Sequence, residues 1–116
     1  MVMSDTVEIT FDERHVEAIQ HGIKRVTFRY DFDEAVEPGD TVELVTPDGT
    51  FIDRATIVET FTLEARAAAR AGFSGHRRYA TCADLLDELA EYYPDAEIGP
   101  VTDLTVLVFT TGGDDA

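Results

Sequence analysis

Five segments of the chain carry the β-branched, alternating apolar pattern that is typical of strands. They are residues 7–11, 26–30, 41–46, 50–62 and 104–109. The last of these is almost wholly apolar, which predicts a central strand. Pro47-Asp48-Gly49 separates the third segment from the fourth, so we expect these two strands to form a hairpin.

Three further segments have the features of helices. The first follows Asp12, a residue type that is favoured as a helix N-cap. The second, residues 63–71, is rich in Ala and Arg. The third begins with a capping box formed by Thr81 and Asp84, and it is expected to end before Pro94.

The predicted order of elements is strand, helix, strand, hairpin, two helices and strand. Strands and helices alternate too irregularly for a doubly wound parallel sheet, so we predict an α+β fold. The expected architecture is a small, mostly antiparallel β-barrel with flanking helices. One domain accounts for all 116 residues, with a core over about residues 7–110 and an acidic tail over 111–116.

The amino-acid composition shows that the protein is strongly acidic. The chain has 24 Asp and Glu residues against nine Lys and Arg, which gives a formal net charge of -15. Lys24 is the only lysine. An acidic, lysine-poor surface keeps a protein hydrated in concentrated salt, so we expect a halophilic protein. The single cysteine, Cys82, excludes an intramolecular disulfide and a cysteine-rich zinc site.

Other features bear on location and on metals. The apolar segments are shorter than the ~18 residues of a membrane span, and the first residues lack the basic and apolar regions of a signal peptide. We therefore expect a cytoplasmic protein with no membrane partner. His15, His21 and His76 have spacings that match no metal-ligand motif, so neither a metal nor a cofactor is expected.

Acidic residues are absent from two stretches of the chain, residues 18–30 and 65–83. These 32 residues carry seven of the nine basic residues, while the other 84 residues carry all 24 acids. One interpretation is that both stretches face a single anionic ligand, such as a phosphate or a nucleic acid. The alternative is that they are buried, or paired with acids from elsewhere in the chain.

A motif in the N-terminal half resembles a known family. Residues 22–29 read Gly-Ile-Lys-Arg-Val-Thr-Phe-Arg, and a Pro-Gly-Asp turn follows at residues 38–40. This pattern, Gly-x-Lys-x-x-Thr-x-Arg before a Gly-Asp turn, resembles the ASCH family of the PUA-like superfamily. A helix ending in Tyr-Pro at residues 93–94 and the last strand extend the resemblance over about residues 7–110. The resemblance implies a β-barrel with a cleft and a role in RNA or nucleoside chemistry.

Small bacterial members of this family include N4-acetylcytidine amidohydrolases, in which a Lys, a Thr and a Glu line the cleft. The resemblance places the lysine at Lys24 and the threonine at Thr27. A threonine hydroxyl is a weak nucleophile that needs a base, and a desolvated lysine can serve as that base. The glutamate position falls near Arg78, in a stretch without acids, so the sequence favours binding of an anion over amide hydrolysis.

The sequence leaves three functions open. In the favoured one, RNA or a nucleotide-like ligand binds in a basic cleft between the two acid-free stretches. The expected ligand-binding residues are Lys24, Thr27, Arg29, Arg77, Arg78 and Tyr79. The alternative is an amidohydrolase of acylated cytidine, with Thr27 as the nucleophile and Lys24 as the base. The third function is a protein-interaction module without a small ligand.

Overall fold

Five strands form one mixed sheet in a computed structural model that describes residues 7–73, 76 and 78–111. The strands are β1 (Glu8–Thr10), β2 (Val26–Arg29), β3 (Thr41–Val45), β4 (Phe51–Glu64) and β5 (Asp103–Thr111). Their order across the sheet is β1-β3-β4-β5-β2. β1 lies parallel to β3, and the other pairings in this sheet are antiparallel.

Three α-helices accompany the sheet in the part of the chain that is described. They are α1 (Val16–Gln20), α2 (Ala65–Ala71) and α3 (Cys82–Tyr92). A 3-10 helix precedes α1, and the Asp12 side chain caps it by accepting a hydrogen bond from the backbone N–H of Arg14 at 3.0 Å. Thr81 caps α3 in the same way through the N–H of Asp84, at 3.2 Å. Both predicted N-caps are therefore confirmed.

Apolar side chains pack in two clusters, and β5 contributes to both because successive side chains of a strand point to opposite faces. Leu107 and Phe109 belong to the cluster that includes α1, whereas Leu104 and Val106 belong to the cluster that includes α2 and α3. Thr27 of β2 lies opposite Leu107 in the strand register. Residues that pair directly share a face of the sheet, so Thr27 lies on the face of the first cluster.

The α+β class is confirmed, but closure of the sheet into a barrel is not. Over the described residues, β1 and β2 are the two edges of an open sheet. β4 runs to Glu64, so the helix that was expected from residue 63 begins at Ala65 instead. Of the acidic tail expected at residues 111–116, Thr111 is the last residue of β5, and the remainder lies outside the described residues.

None of the helices found within residues 7–73, 76 and 78–111 has the length and apolar character needed to cross a membrane.

Candidate active site

A cavity of about 250 Å³ lies between α3 and the two edge strands, β1 and β2. We call it the lysine cavity, because Lys24 lines it. Its polar and charged lining residues are Thr10, Asp12, His15, Lys24, Thr27, Arg29, His76, Tyr79, Glu88, Tyr92 and Tyr93. Carboxylates therefore stand among its cations, and the lining is mixed in charge rather than purely basic.

Lys24 enters this cavity from the loop between α1 and β2. Its backbone N–H donates to the carbonyl of Ala18 at 3.1 Å, which holds the loop against α1. The side-chain Nζ donates to the carbonyl of Val26 at 3.0 Å. It also lies 6.0 Å from the centre of the Phe11 ring. The ammonium group is thus held inside the cavity, against the start of β2.

The surroundings of Lys24 favour its neutral form. Burial and, after it, the positive charge of Arg29 lower the pKa of Lys24 to about 8, while the charge of Glu88 acts in the opposite direction. A lysine with a pKa near 8 has a substantial neutral fraction at slightly alkaline pH. Its nitrogen can then accept a proton, which an ordinary surface lysine rarely does at that pH.

Thr27 is buried in β2 and lines the cavity, and Arg29 is its hydrogen-bond partner. Arg29 lies two residues further along the strand, and its Nε donates to Thr27 Oγ1 at 3.2 Å. This contact shows that the side chains of Thr27 and Arg29 lie on one face of the strand. A donor that carries a positive charge stabilises negative charge on the oxygen it bonds, so Arg29 is placed to stabilise negative charge that develops on Thr27 Oγ1.

Arg29 also joins the two edges of the sheet. Its Nη2 donates to the carbonyl of Thr10 in β1 at 2.7 Å. The guanidinium carbon Cζ lies 4.6 Å from the centre of the Phe11 ring, which places the cation against an aromatic ring. The side chain that contacts Thr27 is therefore positioned by both edge strands at once.

The structure adds an acid, Glu88, that was not among the expected site residues. Glu88 lies in α3, and it lines the cavity together with Lys24. The Tyr79 hydroxyl donates to Glu88 Oε1 at 2.9 Å, which helps to position the carboxylate. Because the charge of Glu88 raises the pKa of Lys24, the two groups interact electrostatically. The sequence placed the glutamate position of the family near Arg78, whereas in the structure an acid of α3 shares the cavity with Lys24.

Helical spacing carries a signal for this residue. Leu85, Glu88, Leu89 and Tyr92 follow the i, i+3, i+4, i+7 pattern of a single helix face. Leu85 and Leu89 are buried in the structure, and Glu88 lies on the same side of α3. An acidic residue on the apolar face of a helix is a candidate for the lining of a cleft. The family motif, by contrast, placed the glutamate position near Arg78.

Aromatic rings bring the two acid-free stretches together. The Phe28 ring of β2 stacks on His76, with 4.5 Å between the ring centres, and meets Phe73 edge-on at 5.9 Å. The His76 ring in turn lies 5.7 Å from that of Tyr79. The two stretches are therefore neighbours in the fold, as one anionic ligand between them would require.

A second cavity, of about 320 Å³, lies between α2 and the start of α3. We call it the arginine cavity, because Arg66, Arg70 and Arg78 line it. Tyr79 lines both cavities, so its side chain lies between them. Of the described basic residues in the two acid-free stretches, Lys24 and Arg29 line the lysine cavity, and Arg66, Arg70 and Arg78 line the adjoining arginine cavity.

Three solved structures have a closely similar shape. The ASCH domain from Lactobacillus crispatus has a TM-score of 0.65 and 13% identity, with 91% of this chain and 79% of that chain covered. A protein from Enterococcus faecalis has a TM-score of 0.67 and 12% identity, with 96% and 82% covered. A single-residue mutant of the ASCH protein from Zymomonas mobilis has a TM-score of 0.61 and 13% identity, with 89% and 67% covered.

The chain has the ASCH fold. This conclusion rests on the shape of the molecule, because no family model matches the sequence and no curated protein matches it. The fold that the motif at residues 22–29 implies is the fold found by comparison of structures.

Within this ASCH fold, the expected site residues fall into two groups. Lys24, Thr27 and Arg29 line the lysine cavity, Arg78 lines the arginine cavity, and Tyr79 lines both. Arg77 lies outside the described residues. A single basic cleft is not shown, because Glu88 of α3 and Asp12 place negative charge beside Lys24 and Arg29.

Within the described ranges of the ASCH fold, no group of three or more His, Cys, Asp or Glu side chains is placed to hold a metal ion. His15 in the lysine cavity instead forms a hydrogen bond between Nε2 and the Tyr92 hydroxyl at 3.2 Å. Burial, followed by the charges of Lys24 and Arg14, lowers the pKa of His15. His15 therefore lies in the cavity wall as a hydrogen-bond partner of Tyr92.

Proposed function

We propose that the chain is a single-domain member of the ASCH family, with a PUA-like barrel architecture, and that it hydrolyses the amide of an N4-acylated cytidine. The observation that supports this activity is the presence of Lys24, Thr27 and Glu88 in one cavity. A Lys, a Thr and a Glu are the residue types that the resemblance implies for the N4-acetylcytidine amidohydrolases of the family.

Thr27 is the nucleophile in this proposal. Its Oγ attacks the carbonyl carbon of the acyl group while its proton passes to the neutral amine of Lys24. Negative charge then develops on the carbonyl oxygen, and the C–O bond to Thr27 forms. The pKa of about 8 supports Lys24 as the base, and the 3.2 Å hydrogen bond from Arg29 supports Thr27 as the group that loses its proton.

Lys24 and Glu88 act together in the second half of the reaction. The tetrahedral adduct collapses, the C–N bond breaks, and N4 of the cytosine takes the proton from the Lys24 ammonium. The carboxylate of Glu88, positioned by Tyr79, stabilises that ammonium until the proton leaves. Lys24 then takes a proton from a water molecule that attacks the Thr27 ester. The C–O bond to Thr27 breaks and the Lys24 ammonium returns the proton to Oγ, which releases the carboxylic acid and restores free Thr27 and neutral Lys24.

Composition supports a further part of the proposal, that the protein works in the cytoplasm of a salt-loaded cell. The net charge of -15 and the single lysine are its basis. Exposed charges are screened within ~3 Å at about 1 M salt, so assays of the activity are best made in concentrated KCl.

The activity is tested by incubating the protein with N4-acetylcytidine in concentrated KCl and measuring release of cytidine and acetate. Thr27→Ala is expected to abolish turnover, because a methyl group cannot attack a carbonyl. Lys24→Arg is expected to reduce it by at least ~100-fold, the usual contribution of a general base, because guanidinium stays protonated. Thr27→Ser keeps the hydroxyl and is the matched control. Undiminished turnover in Thr27→Ala would overturn the proposal.

Binding of RNA or a nucleotide without hydrolysis is the second candidate function. It is favoured by the contact between the two acid-free stretches, which places the arginine cavity beside the lysine cavity. The same incubation separates the two functions. Recovery of unchanged N4-acetylcytidine, together with saturable binding of cytidine nucleotides, would support binding and reject hydrolysis.

A further inference from the structure

The arginine cavity has the composition of an anion site. Arg66, Arg70 and Arg78 line it, and none of its described lining residues is acidic. This absence is notable in a chain with 24 acidic and nine basic residues. The volume of about 320 Å³ accommodates a phosphate group together with water.

The three guanidinium groups differ in whether they form ion pairs with acidic side chains. Arg66 donates from Nε to Glu64 at 2.9 Å, on a largely exposed part of the surface. Within the described part of the chain, Arg70 and Arg78 form no ion pair. A guanidinium group presents a planar fork of donors that matches phosphate oxygens. Arg70 and Arg78 are therefore the groups best placed to accept an anionic ligand.

Backbone geometry makes room for one of these groups. Gly72 ends α2 in the left-handed conformation, with φ of 64°. A Cβ at this position would lie 3.2 Å from Nη1 of Arg78, so the guanidinium of Arg78 packs directly against the glycine. The start of α3 also lines the cavity, through Thr81 and Cys82. Its backbone N–H groups add partial positive charge.

Tyr79 connects this cavity to the proposed chemistry. Its side chain lines both cavities, and its hydroxyl donates to Glu88 in the lysine cavity at 2.9 Å. In a nucleotide the phosphate is attached to the ribose, on the side away from the base. A cytosine held at Thr27 with its ribose directed past Tyr79 would extend its phosphate toward Arg70 and Arg78.

We propose that the arginine cavity binds a phosphate group of the substrate, so that the protein acts on acylated cytidine as a nucleotide rather than as a free nucleoside. The inference rests on the proposed function, since it takes the acylated base to occupy the lysine cavity. Arg70 and Arg78 hold the phosphate, and Arg66 adds positive charge at the rim.

The test compares deacylation of N4-acetylcytidine with deacylation of its 5′-monophosphate, at several KCl concentrations. We expect kcat/KM to be about 10- to 100-fold higher for the monophosphate, which is the range for charge-assisted hydrogen bonds, mainly through a lower KM. In Arg78→Gln and Arg70→Gln the ratio is expected to fall toward one. Arg54→Gln removes the same charge from β4, outside both cavities, and is the matched control that keeps the ratio.

A second measurement separates this inference from the proposed hydrolysis. Calorimetric titration with cytidine and with cytidine 5′-monophosphate measures phosphate binding whether or not any amide is cleaved. Tighter binding of the monophosphate, lost in Arg78→Gln but kept in Arg54→Gln, supports the phosphate site even if no substrate is hydrolysed. Equal affinity for the two ligands overturns it, even if N4-acetylcytidine is hydrolysed efficiently.

The source of the phosphate is decided by a third substrate, a short oligoribonucleotide with an internal N4-acetylcytidine. Faster deacylation of the oligonucleotide than of the monophosphate assigns the phosphate to RNA. Faster deacylation of the monophosphate assigns it to a free nucleotide. Far-UV circular dichroism of each variant confirms that the fold is retained.

Discussion

At the residue scale, the proposed hydrolysis depends on the charge state of Lys24. Its pKa of about 8 results from burial and Arg29, partly offset by Glu88. Because only the neutral amine can act as the base, kcat/KM for N4-acetylcytidine is expected to rise with pH through about 8 and then level off. In Glu88→Gln the rise should occur at lower pH, since the group that raises the pKa of Lys24 is lost.

Steady-state kinetics over a pH series measures this shift. Glu59→Gln removes an exposed carboxylate from β4 and is the control, for which the profile should stay in place. If the profile of Glu88→Gln coincides with that of the wild type, Glu88 does not act on Lys24 in the working protein.

The lowered pKa also means that Lys24 reduces the stability of the folded state at neutral pH. The folded-state pKa of about 8 lies below the ordinary value of 10.5, so between these values the unfolded chain binds more protons than the folded chain. Stability from this group therefore rises with pH between about 8 and 10.5, and its cost is fully present below pH 8. A buried lysine that opposes folding at neutral pH is typical of a site that uses it for chemistry.

At the element scale, local signals in the sequence predicted the helices and strands because each depends on a few neighbouring residues. Thr81 with Asp84 marked the start of α3, and Gly72 marked the end of α2 in the left-handed conformation that glycine adopts readily. The residues that make up the site were harder to predict from the sequence. Glu88 reaches Lys24 only because α3 packs against the sheet, and counting residues along the chain does not reveal such packing.

The N-cap of α3 gives a direct test at this scale. Thr81 accepts a hydrogen bond from the N–H of Asp84 at 3.2 Å, and α3 carries both Glu88 and part of the arginine cavity. Thr81→Ala is expected to lower the free energy of unfolding by about 1 kcal/mol, as measured by urea denaturation. Thr81→Ser retains the acceptor oxygen and should lose much less. An equal loss in both variants would mean that the hydroxyl does not stabilise α3.

At the scale of the whole molecule, the site lies where the sheet remains open. The order and direction of strands in a sheet depend on contacts between segments that are distant in the sequence. The pattern of strands therefore predicted the α+β class but not the parallel pairing of β1 with β3. Arg29 of β2 reaches across the opening to Thr10 of β1 at 2.7 Å. The lysine cavity lies beside this contact, between the two edge strands of the sheet.

The net charge of -15 leads to a prediction about the stability of the whole molecule. With 24 acidic and nine basic residues, most carboxylates have no cation to pair with. Ion pairs within the residues described include those of Glu43, Glu64 and Glu91. Repulsion among the remaining carboxylates opposes the compact state. Salt screens it, because the Debye length falls from about 10 Å at 0.1 M to about 3 Å at 1 M.

The free energy of unfolding, measured by urea denaturation, is therefore expected to rise steeply with KCl up to about 1 M, where screening of exposed charges is nearly complete. A variant with Glu8→Gln, Glu59→Gln and Glu97→Gln loses three exposed carboxylates from separate parts of the molecule. It should be more stable than the wild type at low salt and should depend less on KCl. A general effect of salt on apolar burial would act equally on both proteins. Parallel KCl dependences would therefore show that charge repulsion does not cause the change of stability with KCl.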